Sequence, residues 1–258
     1  MRETLAIGRT LPEAYHRALE LLREEGEVTP CPDYNTTQRE LSMTMWVREP
    51  LGEPMISKLF IGGYRELEQY RQEMLDGILD FEIEKGNWAY TYHSRMAEQL
   101  PFILRELRRN PDARRAVVDV RDWVHDSAEG NENPACLQHL QFFIRNGRLD
   151  CDVLFRSNDA CKATFMNAFA LILLQKRIAD ALGVEMGSYT HRANSFHCYA
   201  RDFDMLDGYC ARIRRGEVDC ERDDLTFSYA DDWAEQMLDA REEIREKVAS
   251  LRMGSNDR

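Results

Sequence analysis

LQHLQFFIRNGRLDCDVLFRSNDACKATFMNAFALILLQKRIADAL, residues 137–182, decides the fold. Two alternating segments meet at Asn146-Gly147, a dipeptide that accepts the left-handed backbone of a tight hairpin turn, so they read as two antiparallel strands. The second strand runs into Arg156 and Ser157. Residues 160–182 are then apolar nearly all round, the pattern of a helix buried at the centre of a domain rather than lying on its surface. A hairpin leading into a buried helix indicates an α/β (α+β) fold, with a mixed β-sheet flanked by helices around one central helix.

The flanking sequence extends this frame. RRAVVDVRDW reads as a further strand, and SYTHRANSFHCYARD as the strand that follows the central helix. RELSMTMWVREP alternates through Leu41, Met43, Met45 and Val47 and stops at Pro50, which places it near a sheet edge. TLPEAYHRALELLREEGE predicts a helix with Thr10 as N-cap, Glu13 completing a capping box and Pro12 in the first turn. YRELEQYRQEMLDGIL and MAEQLPFILRELRRN have helical spacing, the latter interrupted at Pro101 and ending before Pro111. DDWAEQMLDAREEIREKVASL predicts a solvated terminal helix with an i,i+4 pair of Glu243 and Lys247, and the polar ASLRMGSNDR a mobile end.

Length and composition suit one domain spanning residues 1–258. The chain has 258 residues, 43% of them apolar and 31% charged, enough to bury a core without disulfides. A formal net charge of −12 speaks against a nucleic-acid binder, because counterion release from phosphates needs a basic face; a phosphate site here must be a local arginine cluster. No apolar run is long enough to span a membrane and no signal peptide is evident, so a cytoplasmic protein is expected. Seven cysteines without C-x-x-C pairs fit reduced, mostly packed thiols.

Some residues carry chemistry. Cys136 follows Pro134-Ala135 at the mouth of a strand, where partial exposure and nearby arginines would favour the thiolate; such a cysteine is more often merely packed. Arg156 and Ser157 offer a bidentate cation and a hydroxyl, which grip a phosphate dianion as readily as they form a surface ion pair. Arg114 and Arg115 form a second cationic pair. His191 and His197 share a strand pattern without a third metal ligand, so no metal is expected. Asn167 and Asp159 are polar residues in or beside the apolar helix, where burial demands a bonded partner.

The order of these features resembles a known family. NPDARRAVVDV, PACLQHLQFFIRNGRL, VLFRSNDACKATFMNAFAL and THRANSFHCYARD look like the successive signature blocks of thymidylate synthase, the folate-dependent family that methylates deoxyuridylate. The resemblance runs from about residue 110 to 202. FIGGYRELEQYRQEMLDG and YTYHSRM look most like its compact archaeal-type members.

That resemblance implies a set of roles. Cys136 would add to C6 of the pyrimidine and make C5 nucleophilic. Arg156 and Ser157 would hold the 5′-phosphate, with Arg156 also favouring the thiolate, while Arg114 and Arg115 would reach across a homodimer into the partner subunit's site. Asn167 would pair with the O4 and N3–H edge of uracil, His197 and Tyr199 with the ribose 3′-hydroxyl, and Asp159 with the pterin of 5,10-methylenetetrahydrofolate. Tyr92 resembles the tyrosine that assists proton removal from C5, with Tyr90 its competitor. Gln141 matches a supporting glutamine, and Arg39 is the candidate N-terminal phosphate arginine.

The departures are Leu137 after the nucleophile, Lys162-Ala163 for Leu-Gly, Phe165-Met166 for Pro-Phe, and Ser195 where Asp is common. Cytidylate-hydroxymethylating relatives can carry Asp at the position of Asn167, so Asn favours dUMP. The implied reaction is reductive methylation of dUMP to dTMP, without flavin or metal. The alternative is a pyrimidine nucleotide 5-hydroxymethylase using the same folate. A non-catalytic nucleotide-binding protein and a Cys-His hydrolase are weaker readings, the first because Cys136 is intact, the second for lack of an elbow motif.

Overall fold

The computed structural model describes residues 1–218 and 225–253. Its strands are β1 (Glu3–Gly8), β2 (Glu27–Cys31), β3 (Thr36–Val47), β4 (Ile56–Ser57), β5 (Val117–Asp119), β6 (Leu137–Arg145), β7 (Arg148–Asp159), β8 (Glu185–Tyr199) and β9 (Thr226–Phe227). Its α-helices are α1 (Leu11–Glu25), α2 (Tyr64–Asp76), α3 (Phe81–Glu84), α4 (Tyr92–Met96), α5 (Leu100–Arg109), α6 (Trp123–Asp126), α7 (Thr164–Leu182), α8 (Phe203–Val218) and α9 (Ala234–Met253).

The hairpin forms around Asn146 and Gly147, both left-handed with φ of 54° and 76°, so that Arg145 faces Arg148 and the register of β6 on β7 is set as far as His139 opposite Leu154, beyond which it shifts by one residue. Beyond it α7 crosses back over the sheet and delivers β8 parallel to β7. The principal sheet runs β1-β3-β8-β7-β6-β5, with β2 also paired to β3. It is mixed: β1/β3 and β7/β8 are parallel, the remaining pairs antiparallel. One sheet face carries Leu41, Met43, Met45, Leu140, Phe142, Cys151, Val153, Phe155 and Tyr189, all buried with α1 and α7 in one core. On α7, Phe165, Phe169, Leu171 and Ile172 are buried, each removing enough apolar surface from water to contribute about 2 kcal/mol. The opposite face is left largely uncovered by this chain: Leu5, Ile7 and Trp46 are 54%, 48% and 39% exposed.

Several local expectations are corrected. β3 lies between β1 and β8 rather than at an edge, because Pro50 falls beyond the last paired residue. Thr10 begins α1 without a side-chain cap; Glu13 Oε2 instead accepts from the Arg9 backbone N–H at 2.6 Å. Glu243 pairs with Arg65 at 2.7 Å rather than with Lys247, since a tertiary guanidinium lies nearer than the next turn. The terminal helix is only half solvated: Trp233, just before it, and Met237, Ala240 and Ile244 within it are buried. Residues 249–253 continue α9, and residues 254–258 of the expected mobile end lie outside the described residues.

α9 is fastened to α2 by a buried charge cluster. Glu68 accepts from Arg71 Nε and Nη2 at 2.8 Å each and from Arg241 Nε at 3.0 Å. Its side chain is 1% exposed and that of Arg71 8%. Glu68→Gln removes the charge while keeping the volume, leaving Arg71 with Asp76 alone. It is expected to lower unfolding stability by about 3 kcal/mol, because a buried guanidinium loses its main counter-charge. Urea denaturation measures this, and a loss below about 1 kcal/mol would show that the cluster is not needed to hold α9.

Candidate active site

The start of β6, the ends of β7 and β8 and the first turn of α7 converge at one end of the central strands. They enclose, with α2, α4 and the β2–β3 connection, a cavity of about 940 Å³. Its lining includes Cys136, Arg156, Ser157, Asp159, Asn167, Tyr92, His197 and Tyr199, residues far apart in the chain. Tyr70, Asn158, Gln38, Tyr34, Asp33 and Cys31 line it too, and sequence reasoning had not singled them out. Tyr70 could have been noticed, since it occupies the apolar stripe of α2 with Leu67 and Met74, where a buried hydroxyl needs a partner. The β2–β3 residues gave no comparable signal.

Cys136 is half-buried on this wall. Arg156 is folded over the turn that presents it: Nε donates to the Ala135 carbonyl at 3.1 Å and Nη2 to the Pro134 carbonyl at 2.7 Å, while the Arg156 backbone N–H donates to the Cys136 carbonyl at 2.8 Å. The expectation of a lowered thiol pKa is corrected: burial pushes it above its ordinary value, and the Arg156 guanidinium opposes that shift without overcoming it. The unliganded thiol is therefore kept protonated at neutral pH.

The other predicted residues are held in place locally. Asp159 Oδ1 accepts from the backbone N–H groups of Cys161 and Lys162 at 3.0 and 2.9 Å, fixing the turn into α7. Ser157 Oγ and His197 Nδ1 are 3.4 Å apart, and the His197 and Tyr199 rings lie 4.8 Å apart. Tyr92 Oη accepts from the Leu137 backbone N–H at 3.4 Å, beside the thiol. Burial raises the phenols of Tyr92 and Tyr90, that of Tyr90 to about 12. Tyr90 does not line the thiol cavity but a second one of about 250 Å³ with Glu73, Met74, Leu79 and Trp88; Tyr70 and Tyr92 form the wall common to both. Burial raises the Glu73 carboxyl above the usual carboxylate range.

Some residues lie elsewhere. Arg39 is corrected as a phosphate ligand: neighbours on a strand point to opposite faces, so Gln38 lines the cavity while Arg39 Nη1 donates to the carbonyls of Arg23 and Gly26 at 3.1 and 3.3 Å. Arg114 and Arg115 are exposed ahead of β5, outside this chain's cavity, and Arg115 pairs with Glu106 at 2.6 Å. Gln141 donates to the Arg114 carbonyl at 2.8 Å and so steadies that segment rather than the thiol. Lys162 pairs with Asp202 at 2.6 Å, and Ser195 donates to Glu40 at 2.7 Å. His191 is buried away from the cavity, its Nε2 2.8 Å from Asn158 Oδ1, and no metal-binding group of three side chains occurs among the described residues.

The thymidylate synthase family model matches residues 64–234. A protein of Methanocaldococcus jannaschii named for that enzyme is 31% identical over 207 residues, 78% of this chain and 93% of its own length. This chain belongs to the thymidylate synthase family. A Methanosarcina barkeri protein named likewise is 27% identical over 215 residues, covering 80% of this chain and 97% of that one. Thymidylate synthase of Bacillus licheniformis is 30% identical over 142 residues, 54% of this chain and 50% of that one. Thermostable thymidylate synthase A from Bacillus subtilis has the same fold, with a TM-score of 0.61 at 17% identity over 79% of this chain and 84% of that one. As a thymidylate synthase family member the chain is an enzyme. Among its described residues no helix is long and apolar enough to cross a membrane.

The opposed influences on Cys136 give a measurable outcome. In the unliganded protein the alkylation of Cys136 by iodoacetamide is expected to rise with pH above the range of an ordinary thiol, and Arg156→Met to move that rise higher still. Subtracting the profile of Cys136→Ser removes the contribution of Cys31. A Cys136 profile at or below the free-thiol range, or one unmoved by Arg156→Met, would contradict the two causes.

Proposed function

We propose that this enzyme reductively methylates C5 of dUMP, taking the one-carbon unit and the hydride from 5,10-methylenetetrahydrofolate. The observation that carries this reading is the joint presence of Cys136, Arg156 and Asn167 on the walls of one cavity: a nucleophile, an anion grip and a two-pronged amide. In this reading the Cys136 sulfur bonds to C6 and the ring electrons move toward O4, leaving C5 nucleophilic. Arg156 and Ser157 hold the 5′-phosphate, Asn167 reads the O4 and N3–H edge, and His197 with Tyr199 bonds the 3′-hydroxyl. Tyr92, a neutral phenol next to the sulfur, orients the proton leaving C5. The folate supplies the electrophilic carbon and the reducing hydride. The second cavity fits a flat heterocycle, being walled by Trp88, Tyr90, Tyr92 and Leu79, and it abuts the thiol cavity through Tyr70 and Tyr92. Asp159 lies on the pyrimidine side of that wall and approaches the pterin from there.

The test is tritium release from 5-tritiated dUMP and from 5-tritiated dCMP, with absorbance of dihydrofolate followed in parallel. Release from dUMP with equal dihydrofolate is the expected result. Release without dihydrofolate would replace methylation by hydroxymethylation, and release from neither nucleotide would remove the reading.

The same reading calls for a homodimer. Arg156 is the only arginine or lysine lining the cavity among the described residues, against Asp33, Glu132 and Asp159, so a phosphate dianion needs further cations. Arg156 shares the phase of Leu154 and Asp152 and so lies at the margin of the uncovered sheet face. Two such faces packed together would bring Arg114 and Arg115 of one subunit to the phosphate of the other. An Arg114→Ala/Arg115→Ala double variant and Cys136→Ser, each inactive alone, should on mixing and subunit exchange recover about a quarter of the wild-type activity, because half the dimers then hold one complete site. No recovery in demonstrated heterodimers would contradict shared sites.

A further inference from the structure

Asn167 can discriminate between uracil and cytosine only if its amide is held one way round. The uracil edge presents an acceptor at position 4 and a donor at position 3, and the cytosine edge the reverse, whereas an amide that rotates through a half turn about its last bond satisfies either. What fixes the rotation is therefore as decisive as the amide itself.

The structure supplies one candidate. Tyr70, from the middle of α2, donates its phenol O–H to Asn167 Oδ1. No protein acceptor lies within hydrogen-bond reach of Asn167 Nδ2 among the described residues, and that group is not sealed in the interior; the residue lines the larger cavity. A carbonyl oxygen has two lone pairs, so the phenol can occupy the lateral one and leave the forward one, beside Nδ2, for a ligand. Burial, and then the neighbouring Tyr92, Glu73 and Cys136, hold the Tyr70 phenol well above its ordinary pKa, so it keeps the proton that it donates. The carboxylate one turn along, Glu73, accepts from Gln69 at 2.9 Å and offers no competing hydrogen bond to Tyr70.

We propose that Tyr70 is a specificity-determining positioning residue, which locks the Asn167 amide with its oxygen toward α2 and so fixes the donor and acceptor order read by the pyrimidine. The direction of that selectivity, uracil over cytosine, rests on the function proposed above. Without the phenol O–H the amide is free to turn. A rotation that is no longer opposed by an unpaired buried hydroxyl admits the cytosine edge, and the preference collapses rather than both affinities falling together.

The experiment measures dUMP and dCMP dissociation constants by calorimetry, which requires no turnover, for the wild type, Tyr70→Phe and Tyr70→Leu, each with its melting curve. Phenylalanine keeps the ring that packs in the α2 stripe, and leucine tests whether the hydroxyl or the ring matters. The expected result is that both variants lower the dUMP-to-dCMP preference by about tenfold, dUMP weakening while dCMP tightens. In an Asn167→Ala background, Tyr70→Phe should leave the ratio unchanged, since no amide remains to be oriented. Equal weakening of both nucleotides, or a ratio that the variants do not move, overturns the role of Tyr70. A wild-type preference for dCMP overturns the direction assumed from the proposed function, and its loss in Tyr70→Phe would still support the lock.

Discussion

The site depends on one interaction, the threefold tie between Arg156 and the turn that carries Cys136. Two guanidinium bonds reach the carbonyls of Pro134 and Ala135, and a backbone bond joins residue 156 to the carbonyl of Cys136. The Ala135 carbonyl also accepts from Gln138 Nε2 at 2.7 Å, so a guanidinium and an amide together pin the carbonyls that precede the β6 ladder. The guanidinium is thereby held where its charge acts on the sulfur. The hairpin register makes this possible: with Arg145 opposite Arg148, β6 and β7 run out together, and the end of β7 returns beside the start of β6. The turn sets the register as far as His139 opposite Leu154, and a one-residue shift between Leu137 and His139 then brings residue 156 beside Cys136.

Much of this was legible in sequence because it depends on local rules. The turn dipeptide, the alternation in β6 and β7 and the apolar circumference of α7 are each sufficient to identify their element. The ordered blocks from 110 to 202 brought Cys136, Arg156, Ser157, Asn167, His197 and Tyr199 onto one cavity before any geometry was known. What could not be read was tertiary. Arg39 pointed away because strand phase cannot be fixed when both faces of β3 carry polar residues toward its start. Glu243 chose Arg65 over Lys247 because the partner comes from a segment remote in sequence. α8 was legible and not anticipated: Leu206, Cys210 and Ile213 recur at helical spacing, and all three are buried. The thiol pKa was misjudged because neighbouring charges are visible in sequence and depth of burial is not.

Electrostatics set the terms on which an acidic chain could host the phosphate of the proposed substrate. A net charge of −12 repels anions at long range, and among the described residues the cavity is lined by a single guanidinium and three carboxylates. The open sheet face, with its half-exposed Leu5, Ile7 and Trp46, has area to bury, and Arg156 stands at its margin. In the proposed homodimer, covering that face and completing the anion site would be one requirement met by one partner surface.

The phenols around the sulfur constrain the chemistry further. Tyr70, Tyr90 and Tyr92 each have their acidity weakened by burial, and each lies close enough to Cys136 for a thiolate to weaken it more. None can serve as a phenolate base near neutral pH: Tyr70 donates its proton to Asn167 Oδ1, Tyr92 accepts from the Leu137 backbone N–H, and Tyr90 stands in the adjoining cavity. The same burial that keeps the free thiol protonated keeps these phenols neutral, so in the proposed reaction a phenol can orient a proton acceptor but cannot itself be the base.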